Sequence, residues 1–187
     1  MDRLPDTATL GEARQRLRDG WLTGVPCDCC GQFVRLYRRG LTSGMTLGMI
    51  AVYRATRDGH ANAEGFVHAE DTFRDATATG MRLPSAVRGD WAKLRFWGMA
   101  EQAEGNRADG SPRNGHWRLT EKGRLFVEAR LAVPAYVWLY NNRQYDAPDG
   151  ADGRGETTTI RTALGNAFDF NELMNGGTGA AQMRAAA

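Results

Sequence analysis

The stretch Asp90–Arg130 constrains the fold of this chain more than any other part of its sequence. An apolar stripe with the i, i+4, i+7 spacing of a helix face enters it from the preceding residues, and Lys93 lies on the opposite face. The stripe consists of Val87, Trp91 and Leu94. Gly98 follows, and glycine commonly ends helices. The sequence therefore predicts a helix over residues 85–96.

A hairpin and a second helix are predicted directly after this helix. Residues 99–104 and 116–119 are short segments that can pair, and residues 105–115 between them are too polar and glycine-rich for anything except a loop. Thr120 then stands before an apolar run, at the place and with the hydroxyl expected of a helix N-cap. The order of elements is helix, hairpin, helix.

Two motifs in this stretch resemble the signature of prokaryotic winged-helix regulators: leucine, glycine, a wing, then leucine-threonine-x-x-glycine. The motifs are LRFWGM at 94–99 and WRLTEKG at 117–123. The chain also resembles phage or prophage proteins of that type. The resemblance implies an α+β fold, in which a winged helix-turn-helix core with a small antiparallel sheet carries an N-terminal helix and a cysteine turn. It implies the fold more directly than the function, because winged helices also serve as protein-docking modules.

Local signals predict the remaining elements. Thr9 and Glu12 have the spacing of a capping box, which opens a helix that ends by Gly20. Ser43 is predicted to cap an almost wholly apolar, buried helix over 44–55. Further predictions are a strand over 33–39, a helix or extended piece over 66–76, strands over 135–140 and 157–161, and a short helix over 168–174.

Length and composition suggest one domain of ordinary size with additions. With 187 residues, 42% of them hydrophobic, we expect a winged-helix domain over 1–145, a linker and returning segment over 146–174, and a flexible tail over 175–187. No apolar run approaches the ~20 residues that span a bilayer, and the N-terminus does not resemble a signal peptide. We therefore expect a cytoplasmic protein without a membrane partner.

Positive charge is concentrated in two parts of the chain. Residues 82–130 hold ten Lys or Arg against six Asp or Glu, and residues 1–57 hold nine against five, whereas the whole chain has a net charge of +2. A basic face on an otherwise acidic body would suit double-stranded DNA. Scattered charges on a solvated surface explain the same counts.

The resemblance places candidate DNA contacts on the helix, the wing and the start of the last helix. For each of these side chains, an ordinary solvated charge is the alternative, and Arg95 is also close enough to the core edge to lie along Trp91. The link over 77–84 is longer than the usual turn of a helix-turn-helix. The candidates are Arg82, Arg88, Lys93, Arg95, Arg107, Arg113, Arg118, Lys122 and Arg124.

The three cysteines crowd into one turn, where Cys27 and Cys30 form a C-x-x-C-G half-site typical of a zinc knuckle. Structural zinc is one interpretation, although a closed zinc site needs four ligands and the second pair is missing. The alternatives are small buried hydrophobic residues, or a degenerate zinc ribbon whose turn is held by packing. A redox role would need a thioredoxin-like context that the sequence lacks.

Two further groups have structural explanations. Trp91 and Trp117 lie on predicted core faces, so packing explains them better than base stacking. The cluster His60, His68, Glu70 and Asp71 fits no helical metal motif, and no nucleophile stands beside a visible base, so we expect no catalytic activity.

The expected function is that of a small DNA-binding transcriptional regulator of phage or prophage type, with double-stranded DNA as its partner. The alternative is an adaptor or inhibitor that uses the same fold to engage a protein, through residues 135–140 or the wing. A second copy of the chain is a further candidate partner.

Overall fold

The computed structural model describes residues 4–105 and 115–177. The helices among them are α1 (Leu10–Gly20), α2 (Ser43–Arg57), α3 (Ala69–Ala78), α4 (Val87–Asp90), a 3₁₀ helix (Trp91–Trp97), α5 (Glu121–Val127), α6 (Ile160–Leu164) and α7 (Phe170–Met174). The strands are β1 (Val25–Pro26), β2 (Phe33–Val34), β3 (Tyr37–Gly40), β4 (Val67–His68), β5 (Ala100–Gln102), β6 (His116–Leu119), β7 (Val133–Pro134), β8 (Tyr136–Tyr140), β9 (Arg143–Tyr145) and β10 (Thr157–Thr158). The fold is α+β with small antiparallel sheets, as predicted.

The chain forms two compact units, each built from two separate stretches. Unit 1 comprises Met1–Gly40 and Tyr136–Arg154, and unit 2 comprises Leu41–Ala135 and Gly155–Ala187. Unit 1 is discontinuous because β3 finds its partner in the distant β8. Each of the domain ranges predicted from the sequence is, in contrast, one continuous stretch.

Unit 1 begins with the helix that its capping residues predict. The Thr9 side chain accepts the N–H of Glu12 and the Glu12 carboxylate accepts the N–H of Thr9, which confirms the capping box. The helix ends at Gly20, where a Cβ would stand 2.1 Å from the Val25 side chain. Close approach to β1 therefore explains this glycine.

The single strand predicted over 33–39 is wrong. Phe33–Val34 pairs with β1 in a hairpin around the cysteine turn, and Tyr37–Gly40 belongs to the sheet β3–β8–β9. The two strands are separated at Leu36, whose N–H donates to the Trp21 carbonyl at 2.7 Å instead of joining either ladder. A long-range backbone bond of this kind leaves no signal in local composition.

The centre of the sheet in unit 1 is β8, which confirms the strand predicted over 135–140. Val137, Trp138 and Leu139 are buried, and β9 returns from β8 through Asn141 and Asn142, both with positive φ. Asparagine tolerates this left-handed backbone, which tight hairpin turns need. Tyr136 and Tyr140 at the two ends of β8 are partly exposed, so a contact surface over residues 135–140 stays a prediction.

The central element of unit 2 is α2, whose residues 44–52 are all buried. The prediction of a buried helix is confirmed, but the cap is Thr42 and not Ser43: the Thr42 hydroxyl accepts the N–H of Met45. Thr42 has the extended backbone of a cap, whereas Ser43 is already helical. The helix also runs two residues further, to Arg57.

The sheet of unit 2 has the order β4–β6–β5 and contains the predicted hairpin. β5 pairs with β6 from Ala100↔Leu119 to Gln102↔Trp117, and β4 adds a third strand through Val67↔Trp117. The piece predicted over 66–76 is this short strand followed by α3. Thr120 caps α5 through the N–H of Gly123, as predicted.

The C-terminal part of unit 2 packs back on α2. Ile160, Leu164 and Leu173 are buried. The predicted strand over 157–161 shrinks to Thr157–Thr158, because the Thr159 side chain caps α6 from the next residue onward. Among the residues that the structure describes, no helix is long and apolar enough to span a membrane.

Candidate nucleic-acid interface

The helix predicted over 85–96 is one α-helical turn followed by a 3₁₀ helix. Trp91, Leu94 and Trp97 are all buried at a spacing of three residues. This spacing places all three side chains on one face of a 3₁₀ helix, which has three residues per turn. Gly98 ends the segment with φ 65°, as predicted for this glycine.

The buried face of this segment packs on α2 and α3. A Cβ on Gly48 would stand 2.8 Å from the Val87 side chain, so this glycine of α2 permits the close approach. Trp91 meets Phe73 and Trp117 edge-on, at ring-centroid distances of 5.5 and 6.2 Å. Trp91 and Trp117 are therefore core residues, as expected, and are not available to stack on bases.

Four candidate cations lie on or beside this segment. Arg82, Arg88 and Arg95 are exposed, and Lys93 is partly exposed. Arg88 pairs with Glu70 of α3 at 3.1 Å, and Lys93 pairs with Asp90 one turn earlier. The carboxylates reduce the positive potential that the sequence count suggests.

Arg95 contacts its own segment. Its guanidinium lies 4.7 Å from the ring centroid of Phe96, and its Nη1 donates to the Ala92 carbonyl. Arg82 makes no ion pair with a carboxylate in the described parts of the chain.

Arg118 is held by ion-pair, hydrogen-bond and cation–π contacts within the protein. Arg118 binds Glu101 across the hairpin and donates to the Glu64 carbonyl at 2.7 Å, and its guanidinium lies 4.6 Å from the ring centroid of Phe66. Its bonds hold the β5–β6 hairpin against the loop before β4.

Arg124 bridges Glu121 and Glu128 at 2.6 Å each. Its hydrogen bond to Glu121 holds the pKa of that carboxyl below its usual value. Glu128 also accepts a hydrogen bond from the Tyr53 hydroxyl of α2. Burial, and to a lesser extent the negative charge of Glu128, raise the pKa of Tyr53. Lys122, which lies between Glu121 and Arg124 in the sequence, is exposed.

The predicted wing lies mostly outside the described residues. Arg107 and Arg113 belong to residues 106–114, so their candidate contacts stay predictions. In the strand that follows, His116 faces His68 across the β4–β6 ladder, with ring centroids 5.2 Å apart, and His68 Nδ1 lies 2.8 Å from Asp71.

The leucine-glycine and leucine-threonine-x-x-glycine motifs meet at one corner. The Thr120 hydroxyl donates to the Gly98 carbonyl at 2.6 Å, and the Thr120 N–H donates to the Met99 carbonyl at 3.1 Å. A Cβ on Gly123 would stand 2.0 Å from that same Met99 oxygen. The signature residues therefore fix the join between the 3₁₀ helix, the hairpin and α5, which is a structural task.

The cysteine turn gives Cys27 the environment of a thiolate. Backbone N–H groups of Cys30 and Cys29 donate to the Cys27 sulfur, and these bonds lower the pKa of its thiol. Cys29 and Cys30 are exposed, so the alternative of buried hydrophobic cysteines does not describe them.

Zinc would find an incomplete ligand set in this turn. Within residues 4–105 and 115–177, no group of three or more His, Cys, Asp or Glu side chains could hold a metal ion. A closed structural site takes four ligands, so Cys27 and Cys30 would supply half of one.

The sequence did not reveal the ion pairs that occupy Arg88 and Arg124, or an exposed row of arginine and tyrosine side chains on β3. The local alternation of residues 33–39 was the available signal for that row.

No protein-family model, curated protein or solved structure matches this chain.

Proposed function

We propose that unit 2 is a winged-helix module that binds double-stranded DNA. Its described elements follow in the order α2, β4, α3, α4 with the 3₁₀ helix, β5, β6 and α5, and β5 pairs with β6. In the proposed complex, residues 85–96 approach the major groove, while contacts of residues 105–115 with the flanking backbone stay a prediction from the resemblance.

One observation carries the proposal: the segment turns its apolar side chains inward and its cations outward. From Arg82 to Gly98 the chain has four cations and one carboxylate, Asp90. The cations are exposed or partly exposed, whereas Val87, Trp91, Leu94 and Trp97 are buried. Binding would be mainly electrostatic and would position the protein without reading bases.

The test is the salt dependence of binding to a random-sequence duplex. We expect binding at low salt that weakens steeply as salt rises, by about 0.9 logarithmic units per phosphate contact for each tenfold rise in salt. Arg82→Ala and Arg95→Ala should each reduce that slope by about 1. Arg143→Ala, an exposed arginine of unit 1, is the matched control and should leave the slope unchanged.

Glu70→Gln provides a test in the opposite direction. Glu70 is the carboxylate that holds Arg88, so its neutralisation should release that guanidinium and strengthen duplex binding by up to about 5-fold. Absence of duplex binding by the folded protein at low salt would contradict the proposal.

A protein-docking adaptor is the second candidate function. Its support is that Arg88, Lys93, Arg118 and Arg124 are all engaged by carboxylates of the same unit. Such internal pairing makes a surface more neutral, which suits a protein partner better than a polyanion. Failure of duplex binding together with an intact fold would favour this candidate.

A further inference from the structure

Three exposed side chains, Arg35, Tyr37 and Arg39, form a row at the start of β3 in unit 1. Tyr37 and Arg39 are two residues apart on β3, so their side chains share one face of the strand. Arg35 precedes β3, and its guanidinium also approaches the Tyr37 ring. Phe33 is exposed as well, but it belongs to β2 in a different sheet.

The aromatic ring of this row is accessible. Tyr37 is 46% exposed. The guanidinium carbons of Arg35 and Arg39 lie 5.8 and 5.9 Å from the centroid of the Tyr37 ring. These distances are at the outer limit of a cation–π contact, so the arginines flank the ring while leaving much of it accessible.

The charge of the row is not neutralised by neighbours. Residues 33–40 contain three arginines and no carboxylate. Arg38 pairs with Asp152, but neither Arg35 nor Arg39 forms an ion pair with any carboxylate in the described chain. In this respect the row differs from the candidate duplex surface, where carboxylates hold Arg88 and Lys93.

We propose that Arg35, Tyr37 and Arg39 form a binding surface for a flexible single strand of nucleic acid. Cations spaced along a strand can follow a phosphate backbone, and an accessible ring between them can stack on an unpaired base. A duplex keeps its bases stacked inside, so it cannot use Tyr37 in this way. The site is independent of the proposed duplex surface, which belongs to unit 2.

The positive charge of the surface favours a polyanion. The Tyr37 ring then distinguishes a nucleic acid, whose bases can stack on it, from an acidic protein, whose carboxylates cannot. An acidic peptide would pair with Arg35 and Arg39 but would gain little from Tyr37. The contribution of the Tyr37 ring is therefore the discriminating measurement.

The experiment uses the full chain and a fluorescent dT15 oligonucleotide, which has no secondary structure of its own. We expect binding at low salt, and Tyr37→Ala should weaken it about 10-fold or more, the effect of losing one stacked base. Tyr37→Phe keeps a ring and should retain nearly the full affinity. Because Tyr37 is half exposed, its substitution should change the thermal unfolding profile of the protein little. Measuring that profile checks that each variant is folded.

Charge and location have their own controls. Arg35→Ala and Arg39→Ala should each reduce the magnitude of the salt slope for dT15 by about 0.7, the value for one phosphate contact on a single strand. Arg143→Ala in the same unit should leave dT15 binding unchanged.

Two results would overturn the proposal. The first is no dT15 binding at low salt. The second is binding that Tyr37→Ala leaves unchanged and that polyglutamate competes as well as unlabelled dT15, which would identify a surface for acidic proteins. Either result leaves the duplex proposal for unit 2 standing, since that proposal depends on Arg82 and Arg95.

Discussion

At the scale of single residues, Gly123 gives the clearest link between a sequence motif and its physical cause. It is the glycine of the leucine-threonine-x-x-glycine motif, and a Cβ there would meet the backbone oxygen of Met99 at 2.0 Å. That oxygen also accepts the N–H of Thr120, so it cannot easily move away. The motif therefore preserves a close backbone approach, whatever the module binds.

Gly123→Ala should destabilise the protein by at least about 2 kcal/mol, because a buried contact with backbone cannot be relieved by a side-chain rotation. Chemical denaturation of the full chain measures this change in the free energy of unfolding. Gly89→Ala is the matched control: nothing lies within 4 Å of a Cβ there, and the residue is helical. This control should be neutral or stabilising by about 0.5–1 kcal/mol. Equal stability of the two variants would contradict the explanation.

At the scale of secondary-structure elements, a buried ion pair joins α1 to the cysteine turn. Arg16 and Asp28 lie 2.7 Å apart, with side chains only 12% and 8% exposed, and Asp28 also accepts the N–H of Leu4. Removing one member of a buried pair leaves an uncompensated charge in the interior. This pair holds the turn in place through α1.

Asp28→Ala should lower the free energy of unfolding by about 3 kcal/mol, since Arg16 would lose the Asp28 carboxylate while remaining mostly buried. Asp149→Ala, which breaks the exposed pair with Arg154, should cost no more than about 0.5 kcal/mol. Urea unfolding monitored by circular dichroism compares the two. An Asp28→Ala variant as stable as Asp149→Ala would show that the turn does not depend on α1.

The elements that the sequence predicted correctly carry their causes within a few residues. The Thr9 capping box, the Thr120 cap and the left-handed Gly98 are local events, and each is as expected. The 3₁₀ form of residues 91–97 was missed because the i, i+3 and i, i+4 patterns overlap over so short a segment. The packing of three buried residues decides between them.

The missed features of the candidate surface are long-range. Glu70 and Arg88 stand on different helices, so the sequence count registered Arg88 as a free positive charge. The split of residues 33–39 depends on a bond from Leu36 to Trp21, and β3 pairs with a strand almost a hundred residues later. Periodicity within a window cannot report such partners.

At the scale of the whole molecule, the chain leaves unit 1 at Gly40, builds most of unit 2, returns to unit 1 for β8 and β9, and ends in unit 2. Each unit therefore becomes complete only when its second stretch is present. Non-local pairing of this kind slows folding, because loop closure is needed before the contacts form. Ile160, Leu164 and Leu173 are buried, so residues 157–174 are part of the core of unit 2 and not an appendage.

Leu173 in α7 tests this conclusion. Its side chain is fully buried, while Arg54 and Arg57 of α2 donate to the carbonyls of Leu173 and Met174 at 3.3 and 3.0 Å. Leu173→Ala should cost about 2–5 kcal/mol, because a cavity would open inside unit 2. Hydrogen exchange measured by mass spectrometry should then rise in α2, although α2 lies more than a hundred residues earlier in the sequence.

The matched control is Leu10→Ala, the same chemical change at a side chain that is 60% exposed on α1. It should alter the free energy of unfolding by less than about 0.5 kcal/mol and leave exchange in α2 unchanged. If Leu173→Ala were as mild as Leu10→Ala, α7 would contribute nothing to the core, and unit 2 would be complete without residues 170–174. The buried position of Leu173 and the two arginine bonds from α2 predict the opposite.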